Sequence, residues 1–269
     1  MSSLVTQSPD TAVPFAARID PNAAEMVRRV ISRVGAYREP DLVDDCASAM
    51  ATPGTKTAFG VHIGDINQAL VDIDYVDALG SGTYLYADGT SVRVVAAILG
   101  RRLPERLVTT DVIWPVLERA AAGDHPVFLL GGPEGLAASA AETMRERVPG
   151  LRIAGTAHGY FTPAEAPGVA ASIRESGAHL VVVAMGVPHQ QRFCRDVGSQ
   201  TGARLLLTAG GLYGYMAGNE SRAPARMRAA GFEWLWRVVQ DPRRLAGRYA
   251  RGCLSCTRLA WAALLLRGK

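Results

Sequence analysis

The sequence lacks the features that mark several large classes of protein. It has no uncharged apolar run of about twenty residues, so we expect no membrane-spanning helix. Its N-terminal segment lacks the basic start and apolar stretch of a signal peptide. No zinc-finger, RNA-recognition or helix-turn-helix signature is present, which argues against a nucleic-acid partner. These absences predict a cytoplasmic protein.

Cysteine is scarce, with four residues in 269. Only Cys253 and Cys256 lie close together, and neither a second pair nor a nearby histidine accompanies them. A zinc or redox site usually needs such additional ligands. We therefore interpret the cysteines as free thiols rather than as part of a zinc or redox site.

Charge is distributed unevenly along the chain. The whole sequence carries a formal charge of +4. Residues 222–269 contain ten Arg and one Lys against two acidic residues, a net charge of +9, which leaves −5 for the rest. A basic segment on a mildly acidic body suits a diphosphate ligand or an anionic membrane surface. The inner face of the cell membrane is thus one expected location of the protein.

Short β-rich runs alternate with longer helical patterns between residues 57 and 208. Two of the runs, 127–130 and 180–184, are continuously apolar, as expected for strands that are buried on both faces. The alternation predicts an α/β fold, with a Rossmann-like and mainly parallel sheet flanked by helices. The predicted strands are Thr57–Ile63, Thr83–Tyr86, Val127–Leu130, Leu151–Ala154, His179–Ala184 and Arg204–Thr208.

Three regions are expected along the chain. Residues 1–20 are polar and contain proline, which predicts a mobile N-terminus. Residues 21–221 form the expected α/β catalytic domain, which begins with a helix over Pro21–Tyr37 because apolar residues recur there at helical spacing. Residues 222–269 form a basic helical C-terminal appendage.

Glycines collect at the predicted carboxyl ends of the strands. Ligands of open parallel sheets bind at this edge, and glycine lets the backbone present N–H groups to a phosphate. Each glycine is also compatible with an ordinary strand-to-helix turn. A nicotinamide enzyme is disfavoured, because the dinucleotide fingerprint is incomplete. The glycines of interest are Gly89, Gly131, Gly132, Gly186, Gly210 and Gly211.

An ordered series of motifs resembles the WecG/TagA/CpsF glycosyltransferases over residues 57–250. The motifs are Tyr86-Ala-Asp-Gly89, Leu103-Pro-Glu-Arg106, Val127-Phe-Leu-Leu-Gly-Gly132, His158-Gly-Tyr-Phe161, Val183-Ala-Met-Gly-Val-Pro-His-Gln190, Ala209-Gly-Gly211, Arg222-Ala-Pro224, Gly231-Phe-Glu-Trp234 and Asp241-Pro-Arg-Arg244. The resemblance implies transfer of a sugar, with inversion and without an obligatory metal, from a UDP-sugar or similar donor to a lipid-diphosphate-linked acceptor in cell-envelope synthesis.

The resemblance assigns roles to several residues. Asp88 matches the proposed catalytic base, although an aspartate there also suits the N-cap of the following helix. Arg106 matches an arginine that binds diphosphate, for which the guanidinium fork is well shaped. Gln190 matches a glutamine of the nucleotide-sugar pocket. Tyr160 is interpreted either as a platform for the nucleobase or as a core aromatic.

The C-terminal segment of similar proteins helps to hold them on the membrane and supplies arginines to the active site. By resemblance, the substrate-binding arginines here are Arg222, Arg237, Arg243, Arg244 and Arg248. Residues 254–266 combine apolar and basic side chains, which suits either the membrane interface or packing against the protein or a second subunit.

The chain departs from the family pattern at polar positions. The usual Thr-x-Asn falls on Gly60-Val-His62, His189 and Gln191 replace the Lys and Glu that flank the glutamine, and Gly214 replaces an Asp. Such clustered changes favour an altered substrate over neutral drift. His62 suits a sugar contact, proton transfer or a structural role. A soluble acceptor and a non-catalytic sugar-nucleotide-binding module stay open as alternatives.

Overall fold

The fold was analysed in a computed structural model. It describes residues 23–218, 223–224, 226–227, 233–240 and the single positions 242, 247, 250, 252 and 254. The N-terminal segment 1–20 and most of the basic appendage lie outside the described residues. The predicted domain boundaries at residues 20 and 221 therefore stay predictions.

One parallel sheet of six strands forms the centre of the described structure, in the order β2-β1-β6-β5-β3-β4. The strands are β1 (Lys56–Val61), β2 (Tyr84–Ala87), β3 (Val127–Gly131), β4 (Ile153–Ala157), β5 (Leu180–Ala184) and β6 (Leu205–Thr208). All neighbouring pairs are parallel, so every carboxyl end lies at the same edge of the sheet. The predicted Rossmann-like α/β fold is confirmed.

The helices pack in two layers, one on each face of the sheet. The first layer contains α1 (Ala23–Arg33), α3 (Ile63–Ala69), α4 (Ile73–Gly80), α5 (Thr90–Ile98), α8 (Ala166–Glu175) and α9 (His189–Val197). The second layer contains α2 (Glu39–Ala51), α6 (Thr109–Ala122), α7 (Leu136–Arg147) and α10 (Leu212–Met216). A further helix, α11 (Glu233–Gln240), lies in the basic segment.

The apolar pattern explains both the strands and the layers. In β5, Val181 and Val183 pack against the first layer of helices, and Leu180 and Val182 pack against the second. Alternate residues of a strand point to opposite faces, so a strand covered on both sides must be apolar throughout. Each such fully buried side chain contributes about 1.5–3 kcal/mol.

Several predicted boundaries differ from the structure by a few residues. Strand β1 ends at Val61 rather than at Ile63, which instead begins α3. The first helix ends at Arg33 rather than at Tyr37. Strand β4 runs over Ile153–Ala157 rather than 151–154, because it is an edge strand whose half-exposed residues carry no clear apolar signal. No described helix is both long and apolar enough to cross a lipid bilayer.

The edge of the sheet that carries the amino ends of the strands holds a histidine pair. His125 Nδ1 lies 2.9 Å from His179 Nδ1, just before β3 and β5 respectively. Burial, and then the nearby Arg204, lower the pKa of both imidazoles, while Asp124 acts in the opposite direction. The folded state therefore favours the neutral form of both rings.

We predict that this pair makes stability depend on pH. A histidine whose folded pKa is lowered binds fewer protons folded than unfolded. Its contribution is present above the ordinary pKa of 6.5 and is lost as the pH falls below that value toward the lowered, folded pKa. Urea unfolding should show a decreasing free energy of unfolding over this range, and His125→Gln/His179→Gln should flatten the decrease. The prediction would be contradicted if the free energy of unfolding of the wild type and of the double variant depended equally on pH.

Candidate active site

At the carboxyl edge of the sheet, the helices that follow two neighbouring strands pack on opposite faces of the sheet. Helix α7 follows β3 and packs on one face, whereas α9 follows β5, the neighbour of β3, and packs on the other. Such a reversal opens a crevice at the strand ends, where open α/β sheets bind ligands. Apart from Arg106, which lies between α5 and α6, the predicted site residues between His62 and Gly211 lie at the ends of these strands or on the segments that follow them.

Asp88 directly follows β2 and is half-buried. The Thr109 hydroxyl donates to Asp88 Oδ2 at 2.9 Å, and the Thr109 backbone N–H donates to Oδ1 at 3.4 Å. The Tyr86 hydroxyl lies 2.8 Å from the same threonine oxygen and donates to it, since that oxygen's own proton is directed at Asp88. Burial, and then the Asp88 charge, raise the pKa of Tyr86 well above its ordinary value, so Tyr86 keeps its proton.

The alternative interpretation of Asp88 as the N-cap of the following helix is wrong. The N-cap of α5 is Gly89, at φ 85°, and no side chain caps that helix. Asp88 instead lies at the first turn of α6, where Thr109 is the first helical residue. Its carboxylate is thus fixed by a neighbouring helix and keeps further lone pairs for a ligand.

Gly60 makes room for this chain of hydroxyl groups. A Cβ at Gly60 would lie 2.8 Å from Thr109 Oγ1 and 2.9 Å from the Tyr86 hydroxyl. Position 60 is where similar transferases carry threonine. The glycine there therefore has a packing reason that is independent of any change of substrate.

Arg106 is brought beside Asp88 by a short parallel bridge. Asp88 pairs with Leu107, and the Gly89 N–H donates to the Leu107 carbonyl at 2.7 Å. Arg106 precedes this bridge and is half-buried. The base and the arginine predicted for diphosphate binding therefore lie on adjacent segments.

His62 leaves the sheet next to Asp88. Val61 pairs with Ala87 in the β1–β2 register, and the Asp88 N–H donates to the Val61 carbonyl at 2.8 Å. Parallel neighbours lie about 4.8 Å apart, so the backbones of His62 and Asp88 are similarly close. His62 is also the N-cap of α3, with Nδ1 2.9 Å from the Gly64 N–H.

Sequence reasoning missed a buried carboxylate behind His62. Asp65 is 0% exposed and receives hydrogen bonds from the His62 backbone N–H, the Tyr75 hydroxyl and Gln191 Nε2. Burial opposes its ionisation, but His62 and the Tyr75 hydroxyl outweigh that effect and lower the Asp65 pKa. The only signal in the sequence was the capping pattern His62-Ile-Gly-Asp65.

Gln190 connects the loops that follow β5 and β6. Its buried side-chain oxygen accepts from the Gly186 N–H at 3.2 Å and from the Gly210 N–H at 3.1 Å. The amide oxygen is therefore bonded to protein, and the assignment of Gln190 to the nucleotide-sugar pocket stays a prediction. Gln190 therefore orders two glycine turns of the crevice. Gly211, which follows Gly210, is the N-cap of α10.

The loop after β3 approaches its neighbours closely. Gly131 has φ 145°, and a Cβ there would lie 2.3 Å from the Ala184 carbonyl oxygen, so only glycine fits. Gly132 accepts a hydrogen bond from the Gly159 N–H at 2.8 Å. Tyr160 follows and is 67% exposed, which excludes the core-aromatic interpretation. His189, the first residue of α9, is also exposed.

A comparison with known protein families decides the broad identity of the chain. The model of the glycosyl transferase WecG/TagA/CpsF family matches residues 29–269. The chain belongs to this family. The match extends beyond the motifs at both ends and includes the whole basic segment.

Most of the C-terminal arginines that were predicted to bind substrate lie outside the described residues. Arg222, Arg243, Arg244 and Arg248 lie outside the described residues. Arg237 lies in α11, although its side chain is not described. The structure does place Gly252 against the site edge: this glycine is buried, and a Cβ on it would lie 2.5 Å from Cγ1 of Ile63, the neighbour of His62.

The described part of this transferase contains no group of three or more His, Cys, Asp or Glu side chains arranged for a metal ion. Cys46 and Cys194 are buried free thiols, and burial raises the pKa of Cys46 to about 12. Metal independence itself stays a prediction.

We predict that Gln190→Ala disorders the crevice. The variant removes the acceptor of two loop N–H groups, which should cost about 1–3 kcal/mol of stability and weaken nucleotide binding. Urea unfolding and calorimetric titration with nucleotide measure the two effects. Gln200→Ala, at an exposed position, is the matched control and should behave like the wild type. Wild-type stability in Gln190→Ala would contradict the role described for this side chain.

Proposed function

We propose that the protein is an inverting glycosyltransferase that moves a hexosyl or N-acetylhexosaminyl group from a nucleotide-diphosphate sugar to a lipid-diphosphate-linked acceptor. The observation that carries the proposal is the Asp88 carboxylate, which is fixed by Thr109 and half-buried at the end of β2, beside the Arg106 segment. Family membership supports glycosyl transfer as the reaction class. The product would belong to a cell-envelope polysaccharide or a teichoic-acid-type polymer.

In a single displacement, Asp88 accepts the proton of the acceptor hydroxyl as its oxygen attacks the anomeric carbon. The bond from that carbon to the diphosphate oxygen breaks, and the nucleoside diphosphate leaves with the electron pair. A base held by hydrogen bonds to Thr109 needs little reorganisation, which favours proton transfer. Attack opposite the leaving group inverts the configuration.

The leaving diphosphate requires positive charge and N–H donors. Arg106 is the candidate donor among the described residues, because the N–H groups of Gly132, Gly186 and Gly210 already donate within the protein. The arginines of the C-terminal segment would complete the charge, consistent with the contact of Gly252 at the site edge. This arrangement needs no metal ion, and we propose metal-independent transfer.

UDP is the proposed nucleotide because it is the usual one of similar transferases. Gly214, where similar transferases have an acid, lies in α10 after β6. Tyr160, exposed at the end of β4, is available to stack on a base. No nucleic-acid partner is proposed.

The lipid-linked acceptor implies work at the inner face of the cell membrane. Helix α11 supports this, because Leu235 and Val239 lie one turn apart and are 42% and 68% exposed within the basic segment. The same surface suits an interface with a second subunit. A soluble acceptor of specialised metabolism, and a binding module without catalysis, are the competing proposals.

We predict that Asp88→Asn abolishes most transfer and spares donor binding. The amide keeps an acceptor for Thr109 but cannot take a proton, so kcat should fall by on the order of a hundredfold or more. Product formation and calorimetric titration with the donor separate the two effects. Asp44→Asn, at an exposed position, is the control. Unchanged turnover in Asp88→Asn would remove Asp88 as the base.

Deletion of residues 254–269 separates the two kinds of acceptor. For a lipid-linked acceptor, we expect the deletion variant to lose sedimentation with anionic vesicles, because the segment contributes apolar and basic side chains. A transferase with a soluble acceptor would not sediment with vesicles in either form. Circular dichroism serves as the control for folding.

A further inference from the structure

The Tyr86 side chain is fully buried, and its hydroxyl lies one hydrogen bond away from the contact that holds Asp88. Tyr86 and Asp88 are two residues apart, so their side chains leave the backbone on the same face of the sheet. Helix α6 packs on this face. The Tyr86 ring therefore reaches α6, where its hydroxyl lies 2.8 Å from Thr109 Oγ1.

Gly60 lets the ring take this path. It pairs with Tyr86 in the β1–β2 register, and a Cβ on Gly60 would lie 2.9 Å from the Tyr86 hydroxyl and 3.0 Å from the ring atom Cζ. Both distances are shorter than van der Waals contact. A side chain at position 60 would thus displace the ring. The glycine that stands where similar transferases carry threonine is therefore coupled to the position of Tyr86.

The protons of the two hydroxyl groups have fixed directions. An ionised carboxylate can only accept, so the Thr109 hydroxyl donates to Asp88 Oδ2 over 2.9 Å. A lone pair of the Thr109 oxygen then accepts the Tyr86 proton. Tyr86 keeps this proton, because burial, and then the Asp88 charge, raise its pKa. Hydrogen bonds in such a chain polarise and strengthen one another.

The contact with Tyr86 selects one orientation of the Thr109 side chain. Thr109 is the first residue of α6. A helical threonine divides between two rotamers, because its hydroxyl can bond a preceding carbonyl group instead. The rotamer that donates to Asp88 is the one that also receives the Tyr86 proton. Tyr86 thus stabilises the orientation that holds the carboxylate.

The chain of hydroxyl groups does not lead to solvent. Tyr86 is 0% exposed and Thr109 is 5% exposed, whereas Asp88 is half-buried at the crevice. A proton that Asp88 accepts therefore leaves through the crevice, since Tyr86 already carries its own proton and lies at the closed end of the chain. The contribution of Tyr86 is one of orientation.

We propose that Tyr86 is a positioning residue of the transfer reaction, whose hydroxyl orients Thr109 so that Thr109 holds the Asp88 carboxylate in place. The proposal rests on the proposed function, in which Asp88 is the base. A base that is already oriented needs less reorganisation in the transition state. The effect of Tyr86 therefore lies in kcat, although its side chain touches no substrate.

Tyr86→Phe tests the proposal, because it removes the hydroxyl group and keeps the packed ring. Turnover is measured as release of UDP from the UDP-sugar that most stabilises the wild type, with a lipid-diphosphate-linked sugar as acceptor. We expect kcat to fall about three- to tenfold, the rate equivalent of one hydrogen bond, with an unchanged KM for the donor. An unchanged kcat would overturn the positioning role.

Tyr213→Phe is the matched control for the loss of a buried tyrosine hydroxyl. The Tyr213 hydroxyl donates to the Val182 carbonyl at 2.6 Å, and Tyr213 belongs to the same buried cluster as Tyr86. Its removal should lower the free energy of unfolding to a similar extent and leave kcat at the wild-type value. A kcat that fell equally in both variants would show a general effect of lost stability and would overturn the proposal.

A double-mutant cycle tests whether Tyr86 acts through Thr109. Thr109→Val removes the intermediate hydroxyl and should itself lower kcat, whereas Thr109→Ser keeps that hydroxyl. Tyr86→Phe should cause no further loss of kcat when combined with Thr109→Val, because the path to Asp88 is already gone. Combined with Thr109→Ser, it should still lower kcat about three- to tenfold. Equal losses in the two combinations would overturn the action through Thr109.

A crystal structure of Tyr86→Phe gives a readout that needs no substrate. We expect the Thr109 hydroxyl to turn away from Asp88 Oδ2 in a measurable fraction of the molecules. A fully occupied contact at the wild-type distance of 2.9 Å would refute the positioning role, whatever the kcat. A wild type that releases UDP from none of the UDP-sugars would overturn the proposed function instead, and the variant structure would still decide whether Tyr86 orients Thr109.

Discussion

The parallel hydrogen-bond ladder between β1 and β2 determines the geometry of the site. Its last rung, from the Asp88 N–H to the Val61 carbonyl, holds the backbones of His62 and Asp88 side by side at the end of the sheet. Because the other strands are also parallel, the glycine turns after β3, β5 and β6 lie along the same edge. A candidate base, an imidazole and a row of glycine turns are thereby brought to one edge although they are far apart in the sequence.

The polar residues at this edge form hydrogen bonds that stabilise helix ends and loops, and the same residues are the candidates for binding and catalysis. His62 caps α3, and Asp88 receives hydrogen bonds from the first residue of α6. Gln190 holds two loops through one oxygen. Groups fixed in this way lose little entropy on binding a ligand, and they stabilise the strand-to-helix connections. Variants at these positions therefore need a stability measurement beside each activity measurement.

The fold could be predicted from the sequence largely because the central strands are apolar on both faces, which admits few alternatives. Asp88 and Arg106 were found through an ordered resemblance, and the bridge at Leu107 explains why the two motifs occur together. The Asp65 contacts could not be predicted, because Tyr75 and Gln191 reach Asp65 only through the packing of α3, α4 and α9. For the same reason, the hydrogen bonds from two loops to the Gln190 oxygen could not be predicted.

A thermal-shift panel of nucleoside diphosphates and their sugars tests the central claim most directly, since a ligand that binds the folded state raises its melting temperature. The account predicts that UDP and at least one UDP-sugar stabilise the wild-type protein, with the sugar adding to the effect of the nucleotide. Absence of a shift with every nucleotide and sugar nucleotide tested would contradict the assignment of the strand-end crevice as a donor site.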